Sequence, residues 1–307
     1  MRKILLVSIG PQTDMYISLC SYGQVIQIDW TGMSKSVLDD ALFSASHFLS
    51  PGDVVFMQIQ TAGMIDVNTV GMLKETGAFV ANWSGDVRSP LPQWFKEIGA
   101  AIDITLFSNM NDVYEMRGLG LQADYMDIGF PDEIFVPHGD RYDNHPDIVF
   151  MGQNTHDIFP LSRYRQEMVK FLQDTYGDNF ALYGNGWGPG IKSITDQYEE
   201  AKVYRSAKIG INLSHFNYEK YSSDRIYRIT GSGCLCFSHT FKSPPFDDII
   251  TWSNFDGLKS LIDYHLEFPE ILEAMQESNT TAVHQDHTWR NRAAQLFNLI
   301  KIYSWKK

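Results

Sequence analysis

The chain has 307 residues, 44% of them hydrophobic, so it can bury a large core, and its length favours two domains. The formal net charge of −12 at pH 7 repels nucleic acid and anionic membranes, so an anionic ligand requires a local cluster of Arg and Lys. No apolar run approaches the roughly 20 residues of a membrane span. The N-terminus does not resemble a signal peptide, and we expect a cytoplasmic protein without a transmembrane segment.

Strand-like and helix-like segments alternate along the first 135 residues. Apolar runs bounded by turn residues predict strands at 2–9, 24–30, 53–60, 78–83, 102–109 and 123–130. Helical patterns lie at 34–49, 71–77, 91–99 and 110–120. This alternation is typical of a parallel sheet that is covered by helices on both faces.

A linker is predicted next, because residues 131–147 contain three prolines and four aspartates without a periodic apolar pattern. The alternation then resumes, with strands predicted at 147–154, 180–187, 208–215 and 234–239 and helices at 162–177, 197–207, 223–233, 256–276 and 287–305. We therefore expect an α/β protein with two Rossmann-like domains that face each other across a cleft. Ligands of such domains bind at the carboxyl ends of the strands.

The glycine-rich segment GNGWGPG, residues 184–190, follows a predicted strand. A dinucleotide fingerprint needs the spacing G-x-G-x-x-G and a helix directly behind it, and Pro189 interrupts both. A nicotinamide site is therefore disfavoured. The glycines permit a ligand to approach the backbone and Trp187 could form a pocket wall, but a tight turn covered by a packed Trp fits the pattern equally well.

Positive charge is concentrated in the segment SDRIYRITGSGCLCF, residues 223–237. Asp224 is a suitable N-cap residue, and Arg225 and Arg228 lie three positions apart on a predicted helix, so both can project into the same space. The planar guanidinium group suits phosphate. Ion pairing with Asp224, Glu219 or another surface carboxylate explains the two arginines equally well.

The second half of the chain resembles a known enzyme family. From residue 148 the order of IVFMGQN, LSRYRQEMVKFL, ALYGNGW, YRSAKIGINLSH, SDRIYRITGSGCLCF and HTWRNRAAQLF is similar to that of the spore-maturation CgeB-like glycosyltransferases, of the group 1 (family 4-like) type with the GT-B fold. The resemblance covers about half of the chain. It implies an acceptor-side domain at 1–140, a nucleotide-sugar-binding domain at 141–288, and a final helix at 289–307 that packs back toward the first domain.

The resemblance also implies roles for residues that follow the strands. The backbone at Gly152 and Asn154 would approach the donor, and Tyr183, Gly184 and Trp187 would border its base. Asn212 and Ser214 would line the floor of the donor site. Arg225 and Arg228 would contact the ribose and the diphosphate. Group 1 enzymes commonly carry two glutamates eight positions apart near this helix. Here the corresponding residues are Lys220 and Arg228, with Asp224 between them.

One carboxylate in the first half is a candidate catalytic residue. Asp86 follows the predicted strand at 78–83, where it could orient or deprotonate an acceptor hydroxyl. An Asp that closes a turn through its own backbone would look the same in sequence. His284 and His287 lie about one helical turn apart, but capping or packing explains them better than metal binding.

These observations predict a glycosyltransferase that moves a sugar from a nucleotide-sugar donor, such as a UDP- or GDP-sugar, to an acceptor hydroxyl. The resemblance implies retention of configuration and no requirement for a metal or another cofactor. The alternative is a non-catalytic module that binds a nucleotide or a nucleotide-sugar, since the acidic pair is missing. The acceptor stays open among a glycan, a lipid, a protein and modified DNA.

Overall fold

A computed structural model describes residues 1–244 and 249–304. The chain forms two compact units. Unit 1 comprises Met1–Ile128 together with the segment that begins at Trp289, and unit 2 comprises Gly129–Thr288. Both units are α/β with a parallel sheet, which confirms the predicted fold class.

Unit 1 is built on a six-stranded parallel sheet in the order β2-β1-β3-β4-β5-β6. Its strands are β1 (Lys3–Ser8), β2 (Gln24–Asp29), β3 (Val54–Met57), β4 (Phe79–Ser84), β5 (Ile104–Phe107) and β6 (Ala123–Tyr125). Its first helices are α1 (Thr13–Cys20), α2 (Lys35–Ser46), α3 (Val67–Glu75), α4 (Gln93–Ala101) and α5 (Met110–Gly118). The sequence pattern did not predict α1, because Gly10 and Pro11 precede it and its apolar face is short.

Unit 2 is built on a five-stranded parallel sheet in the order β11-β10-β9-β7-β8. Its strands are β7 (Ile148–Met151), β8 (Phe180–Tyr183), β9 (Ile209–Asn212), β10 (Leu235–His239) and β11 (Ile250–Trp252). Its helices are α6 (Ser162–Tyr176), α7 (Gln197–Ser206), α8 (Arg225–Gly231), α9 (Phe255–Glu267) and α10 (Pro269–Asp286), with one turn of 3-10 helix at Gly177–Asn179.

Two features of unit 2 differ from the predicted elements. The short edge strand β11 was missed because its three residues carry no detectable alternation. The helix predicted at 256–276 is two helices, α9 and α10, with Phe268 between them. Pro269 has no backbone N–H to continue α9, and its fixed φ suits the first position of a new helix.

The last helix, α11 (Trp289–Ser304), belongs to the core of unit 1. Leu296 is buried among apolar residues of α1 and the sheet, and the ring of Phe297 stacks on Tyr22 with centroids 4.2 Å apart. Arg292 Nε donates to the carbonyl oxygen of Ile128 at 3.0 Å, which ties the start of the helix to the end of the first segment. Unit 1 is therefore completed by residues from both ends of the chain.

The boundary after the first segment lies between Ile128 and Gly129, earlier than the predicted position near 140. Phe130 and Phe135 are fully buried in the core of unit 2, so this stretch packs with that unit although it lacks a periodic pattern. Arg205 of α7 holds the next residues, since its Nε donates to the carbonyl oxygen of Asp140 at 3.1 Å.

None of the described helices is both long enough and apolar enough to cross a membrane. Cys234 and Cys236 are buried free thiols, and Cys20 is exposed.

The role of α11 in unit 1 can be tested with Leu296→Ala. Removal of a fully buried leucine side chain leaves a cavity, so we expect the free energy of unfolding to fall by about 2–5 kcal/mol. Ile302→Ala on the same helix is the control, because this isoleucine is 52% exposed and should lose little. Urea denaturation measures both values, and equal losses would contradict the packing of α11.

Candidate functional site

The candidate site lies where the connectivity of the unit 2 sheet reverses. From β7 the chain continues to β8 on one side, and it then crosses to β9 on the other side. Ligands of open α/β sheets bind in the crevice at such a point, outside the carboxyl ends of the two strands. Here the crevice is bordered by residues 152–154 after β7 and residues 213–215 after β9.

Arg225, the first residue of α8, reaches this point. Its Nη1 donates to Asn212 Oδ1 at 3.1 Å and lies 3.5 Å from the carbonyl oxygen of Leu213. Its guanidinium carbon lies 5.3 Å from the centroid of the Phe150 ring. A Cβ on Gly152 would come within 3.0 Å of Arg225 Nη2, so the glycine leaves room for the guanidinium group between the two segments.

Arg165 of α6 is only 1% exposed and contacts the segments after β7 and β9 from the interior of unit 2. Its Nη1 donates to the carbonyl oxygen of Gln153 at 3.1 Å, and its Nη2 donates to that of Leu213 at 2.5 Å. Nη1 also donates to His215 Nε2 at 3.0 Å. One buried side chain thereby fixes the spacing between the ends of β7 and β9.

The two guanidinium groups have no carboxylate partner among the described residues. Both lie over the ring of Phe150, at 5.8 Å for Arg165 and 5.3 Å for Arg225. Burial and the charge of Arg225 lower the pKa of Arg165 to about 9. It still carries its charge at neutral pH. The site therefore holds excess positive charge in a protein whose formal net charge is −12.

His215 remains neutral beside these cations. Burial, followed by the charges of Arg165 and Arg225, lowers the pKa of His215 to about 3. Its Nε2 accepts a hydrogen bond from Arg165, so the ring proton is on Nδ1. Its ring also packs against Phe159 with centroids 4.5 Å apart.

Asn212 and Ser214, the predicted floor, lie behind Arg225. Asn212 is fully buried; its Oδ1 accepts from Arg225 and from Ser223 Oγ, and its Nδ2 donates to Ser238 Oγ at 2.9 Å. Ser214 Oγ accepts from the backbone N–H of Ser223 at 3.2 Å. These contacts set the position of the arginine and of the chain that leads into α8.

Arg228 is placed differently from Arg225, although the helical spacing predicts that the two share one space. Its Nη1 lies 2.9 Å from Glu200 Oε2, and its Nη2 lies 2.6 Å from Asp224 Oδ2. Burial opposes the charge, but the two carboxylates outweigh it and raise the pKa of Arg228 above its ordinary value. The ion-pair interpretation of the sequence therefore describes Arg228, and excess charge remains only at Arg225 and Arg165.

Asp224 differs from its expected role as a cap, while the donor-site role of Lys220 stays a prediction. Asp224 makes no side-chain cap to α8, and its carboxylate pairs with Arg228 instead. Lys220 is exposed and has a left-handed backbone conformation, with φ of 56°. Its backbone N–H donates to the carbonyl oxygen of Ser243 at 3.2 Å.

The segments after β7 and β8 approach each other closely. Gly184 has φ of 131°, and a Cβ there would lie 2.2 Å from the carbonyl oxygen of Gly152, so no side chain fits. Trp187 Nε1 donates to that same oxygen at 2.7 Å, and the backbone N–H of Asn154 donates to Asn185 O at 2.8 Å. Gly152, Asn154, Gly184 and Trp187 thus lie close together, and their contact with a donor stays a prediction. The hydroxyl of Tyr183 instead reaches His145 Nε2 at 3.2 Å.

Residues 163–298 match the model of a family described as glycosyl transferase-like. The match begins in α6 and ends in α11, so it includes Arg165, His215 and Arg225. The chain carries a glycosyl transferase-like domain over 136 of its 307 residues. No curated protein matches it significantly in sequence.

Solved structures are similar to this chain in fold. A glycosyltransferase from Rickettsia africae ESF-5 is 12% identical, with 98% of each chain covered and a TM-score of 0.62. An α,α-trehalose 6-phosphate synthase from Burkholderia multivorans is 10% identical, with 99% of this chain and 97% of that chain covered and a TM-score of 0.68. A UDP-N-acetylglucosamine 2-epimerase, so named provisionally, from Listeria monocytogenes is 10% identical, with 99% and 97% covered and a TM-score of 0.57. At such identities the likeness concerns the fold alone.

Asp86 lies in unit 1, after β4, and its side chain is 74% exposed. Arg88 Nη2 lies 3.3 Å from Asp86 Oδ2 and also donates to Gln60 Oε1 at 2.6 Å. Burial lowers the pKa of Arg88. Asp86 thus keeps solvent access beside a half-buried cation, and Ser84 Oγ donates to its backbone oxygen at 3.0 Å within the turn after β4.

The sequence analysis missed Arg165, His215 and Glu200. A signal for Arg165 was present, because it lies in register with the buried Val169 and Leu172 of α6, and an arginine on an apolar stripe is seldom without a specific partner. The described residues contain no group of three His, Cys, Asp or Glu that could hold a metal ion. His284 Nε2 lies 2.9 Å from the carbonyl oxygen of Gly231, and His287 stacks on Tyr227.

The different environments of the two arginines predict different effects on stability. Arg228→Ala leaves Glu200 and Asp224 without their cation, so we expect the free energy of unfolding to fall by on the order of 3 kcal/mol. Arg225→Ala removes one of two adjacent like charges, and its stability should stay within about 1 kcal/mol of the parent. Urea denaturation gives both values. A larger loss for Arg225→Ala than for Arg228→Ala would refute this assignment of charge.

The lowered pKa of His215 predicts that the free energy of unfolding depends on pH. Its pKa is about 3 in the folded protein and 6.5 ordinarily, so between these values the unfolded chain takes up a proton that the folded protein does not. Stability present above pH 6.5 is therefore lost as the pH falls. The parent should lose on the order of 1 kcal/mol more than His215→Gln between pH 7 and pH 5, after allowance for partial exposure. Denaturation at several pH values measures this difference, with exposed His138→Gln as control.

Proposed function

We propose that this protein transfers a sugar from a nucleoside diphosphate sugar, such as a UDP- or GDP-sugar, to an acceptor hydroxyl. We further propose that the donor diphosphate lies against Arg225, outside the carboxyl ends of β7 and β9. The observation that carries this proposal is the positive charge of Arg165 and Arg225, neither of which forms an ion pair with a described carboxylate.

The chemistry of this charge favours a phosphate group. A guanidinium group forms parallel charge-assisted hydrogen bonds with phosphate oxygens. Arg225 is partly exposed, so a ligand can reach it, whereas Arg165 is buried and acts on a ligand only through the field of its charge. The close approach of backbone at Gly152 and Gly184 adds a surface without side chains beside the guanidinium group.

Transfer breaks the bond between the anomeric carbon of the sugar and the diphosphate oxygen, and it forms a bond between that carbon and the acceptor oxygen. Negative charge develops on the leaving diphosphate, where Arg225 would stabilise it by a preorganised interaction that needs no bound metal. The acceptor proton would pass to a leaving phosphate oxygen in a retaining reaction. Asp86 is the carboxylate that we propose for orienting the acceptor hydroxyl.

A second candidate function is nucleotide or nucleotide-sugar binding without transfer. It is favoured by one observation: the position at which group 1 enzymes commonly carry a glutamate holds Arg228, whose charge is occupied by Glu200 and Asp224. The two functions are distinguished by incubation with UDP- and GDP-sugars without acceptor. Slow release of nucleoside diphosphate indicates a transferase, while tight binding without any release indicates a binding module.

The diphosphate site predicts a selective loss of affinity in Arg225→Ala. Removal of one charge-assisted partner should weaken binding of UDP or GDP by roughly tenfold to a hundredfold, while binding of uridine or guanosine should change far less. Isothermal titration calorimetry measures each ligand. Arg163→Ala is the matched control, because that side chain on α6 is 84% exposed and pairs with Glu167 of the same helix. Equal diphosphate affinity in the parent and in Arg225→Ala would overturn the proposal.

A further inference from the structure

Unit 2 contains a second depression, with a volume of about 550 Å³. It lies between residues 142–146, which lead into β7, the end of β8 at Tyr183, and residues 192–196, which lead into α7. Its lining does not include Arg225 or Asn212, and Tyr183 is its only member with a predicted donor role. The volume falls within the roughly 300–1,000 Å³ that is usual for small-molecule sites. We call it the β8 pocket.

Three rings form a row along the β8 pocket. The ring centroids of Tyr142 and His145 are 6.1 Å apart, and those of His145 and Tyr183 are 6.2 Å apart with their planes only 9° from parallel. His145 Nδ1 lies 2.7 Å from the carbonyl oxygen of Pro146, which can only accept, so this nitrogen carries the proton. Nε2 then accepts from the Tyr183 hydroxyl at 3.2 Å. Burial lowers the pKa of His145, so the ring is neutral with a defined tautomer.

Tyr142 is held from three directions. Its hydroxyl donates to Glu199 Oε2 at 2.5 Å, Lys202 Nζ lies 4.3 Å from its ring centroid, and its backbone N–H donates to Ser206 Oγ at 2.7 Å. The hydrogen bond to Glu199 raises the pKa of Tyr142 to about 12, so the hydroxyl stays protonated. The ring row is therefore ordered before a ligand arrives, which reduces the entropy lost on binding.

The charges that line the β8 pocket disfavour an anion. Asp196 and Glu199 supply two carboxylates against the single ammonium group of Lys192. Asp196 Oδ1 also accepts from the backbone N–H of Glu199 at 2.9 Å, where it caps α7. A phosphate group would thus find its partners at Arg225 rather than here.

The remaining lining combines aromatic surface with neutral hydrogen-bonding groups. Asn144, Ser193 and Thr195 offer amide and hydroxyl groups beside the ring row. A sugar ring presents the same combination, because its C–H groups can lie on the electron-rich face of an aromatic ring while its hydroxyls form hydrogen bonds around the rim. An apolar ligand would leave these polar groups without partners.

We propose that the β8 pocket is a carbohydrate-binding site that takes a neutral oligosaccharide and is separate from the donor site. Its function would be to retain a glycan on unit 2 independently of the nucleotide-sugar. The proposal does not depend on the assignment of the diphosphate to Arg225.

The test uses an array of neutral oligosaccharides built from hexose and N-acetylhexosamine units, followed by calorimetry with the oligosaccharide that gives the strongest signal. No nucleotide is present. Tyr142→Ala removes one ring of the row and Thr195→Trp fills the space, so each should weaken binding at least roughly tenfold. Tyr198→Ala is the matched control, because this tyrosine of α7 is 67% exposed and does not line the pocket. Circular dichroism confirms that each variant is folded.

Binding by the parent and by Tyr198→Ala, with loss in both lining variants, would support the carbohydrate site. Absence of binding to every oligosaccharide of the array would overturn it, as would binding that survives both lining substitutions. Displacement of the oligosaccharide by UDP or GDP would also overturn it, because the pocket would then be part of the donor site. Arg225→Ala should keep its oligosaccharide affinity, so failure of the donor proposal leaves this result unaffected.

Discussion

The packing of two guanidinium groups against the ring of Phe150 is the interaction on which the chemistry of unit 2 depends. A buried cation is unfavourable unless other groups share its charge. For Arg165 these groups are the carbonyl oxygens of Gln153 and Leu213, which belong to the segments after β7 and β9. These hydrogen bonds stabilise the charge of Arg165, and they also fix the distance between the two segments, which leaves room for Arg225. An anion at this point would complete the balance of charge.

Arg228 is also an arginine of α8, but its charge is paired within the protein. Its guanidinium group bridges Glu200 of α7 and Asp224 before α8, so it links two helices and leaves no net positive charge for a ligand. A buried ion pair is weak as a source of stability but strongly destabilising when one partner is removed. One turn of α8 thus separates Arg225, for which we propose a role in binding, from Arg228, which holds the two helices together.

The region around Arg165 and Arg225 and the β8 pocket differ in charge, and in each of them a histidine stays neutral for a different reason. At the carboxyl ends of β7 and β9, the cations of Arg165 and Arg225 add to burial in preventing protonation of His215. In the β8 pocket, burial lowers the pKa of His145, while the carbonyl oxygen of Pro146 selects the tautomer. The first region is suited to an anion and the second to a neutral ligand with hydroxyl groups. The function that we propose would use the first region for a charged donor and the second for a glycan.

The sequence by itself determined the two parallel sheets, because turn residues separate the apolar runs at spacings that fit strands alternating with helices. It also placed Gly152, Gly184 and Asn212 at strand ends, since strand ends follow from the same punctuation. The tertiary structure alone decided which charges are paired. Arg228 meets Glu200 from 28 positions away and Arg165 meets His215 across 50, and helical spacing reports only neighbours on one helix. The domain boundary likewise depended on the burial of Phe130 and Phe135 and on the long-range contacts of Arg205, in a stretch whose local pattern indicates only a linker. Local periodicity indicates which face of a helix or strand is buried. The hydrogen-bond and ion-pair partners of a side chain are determined only when separate elements pack together.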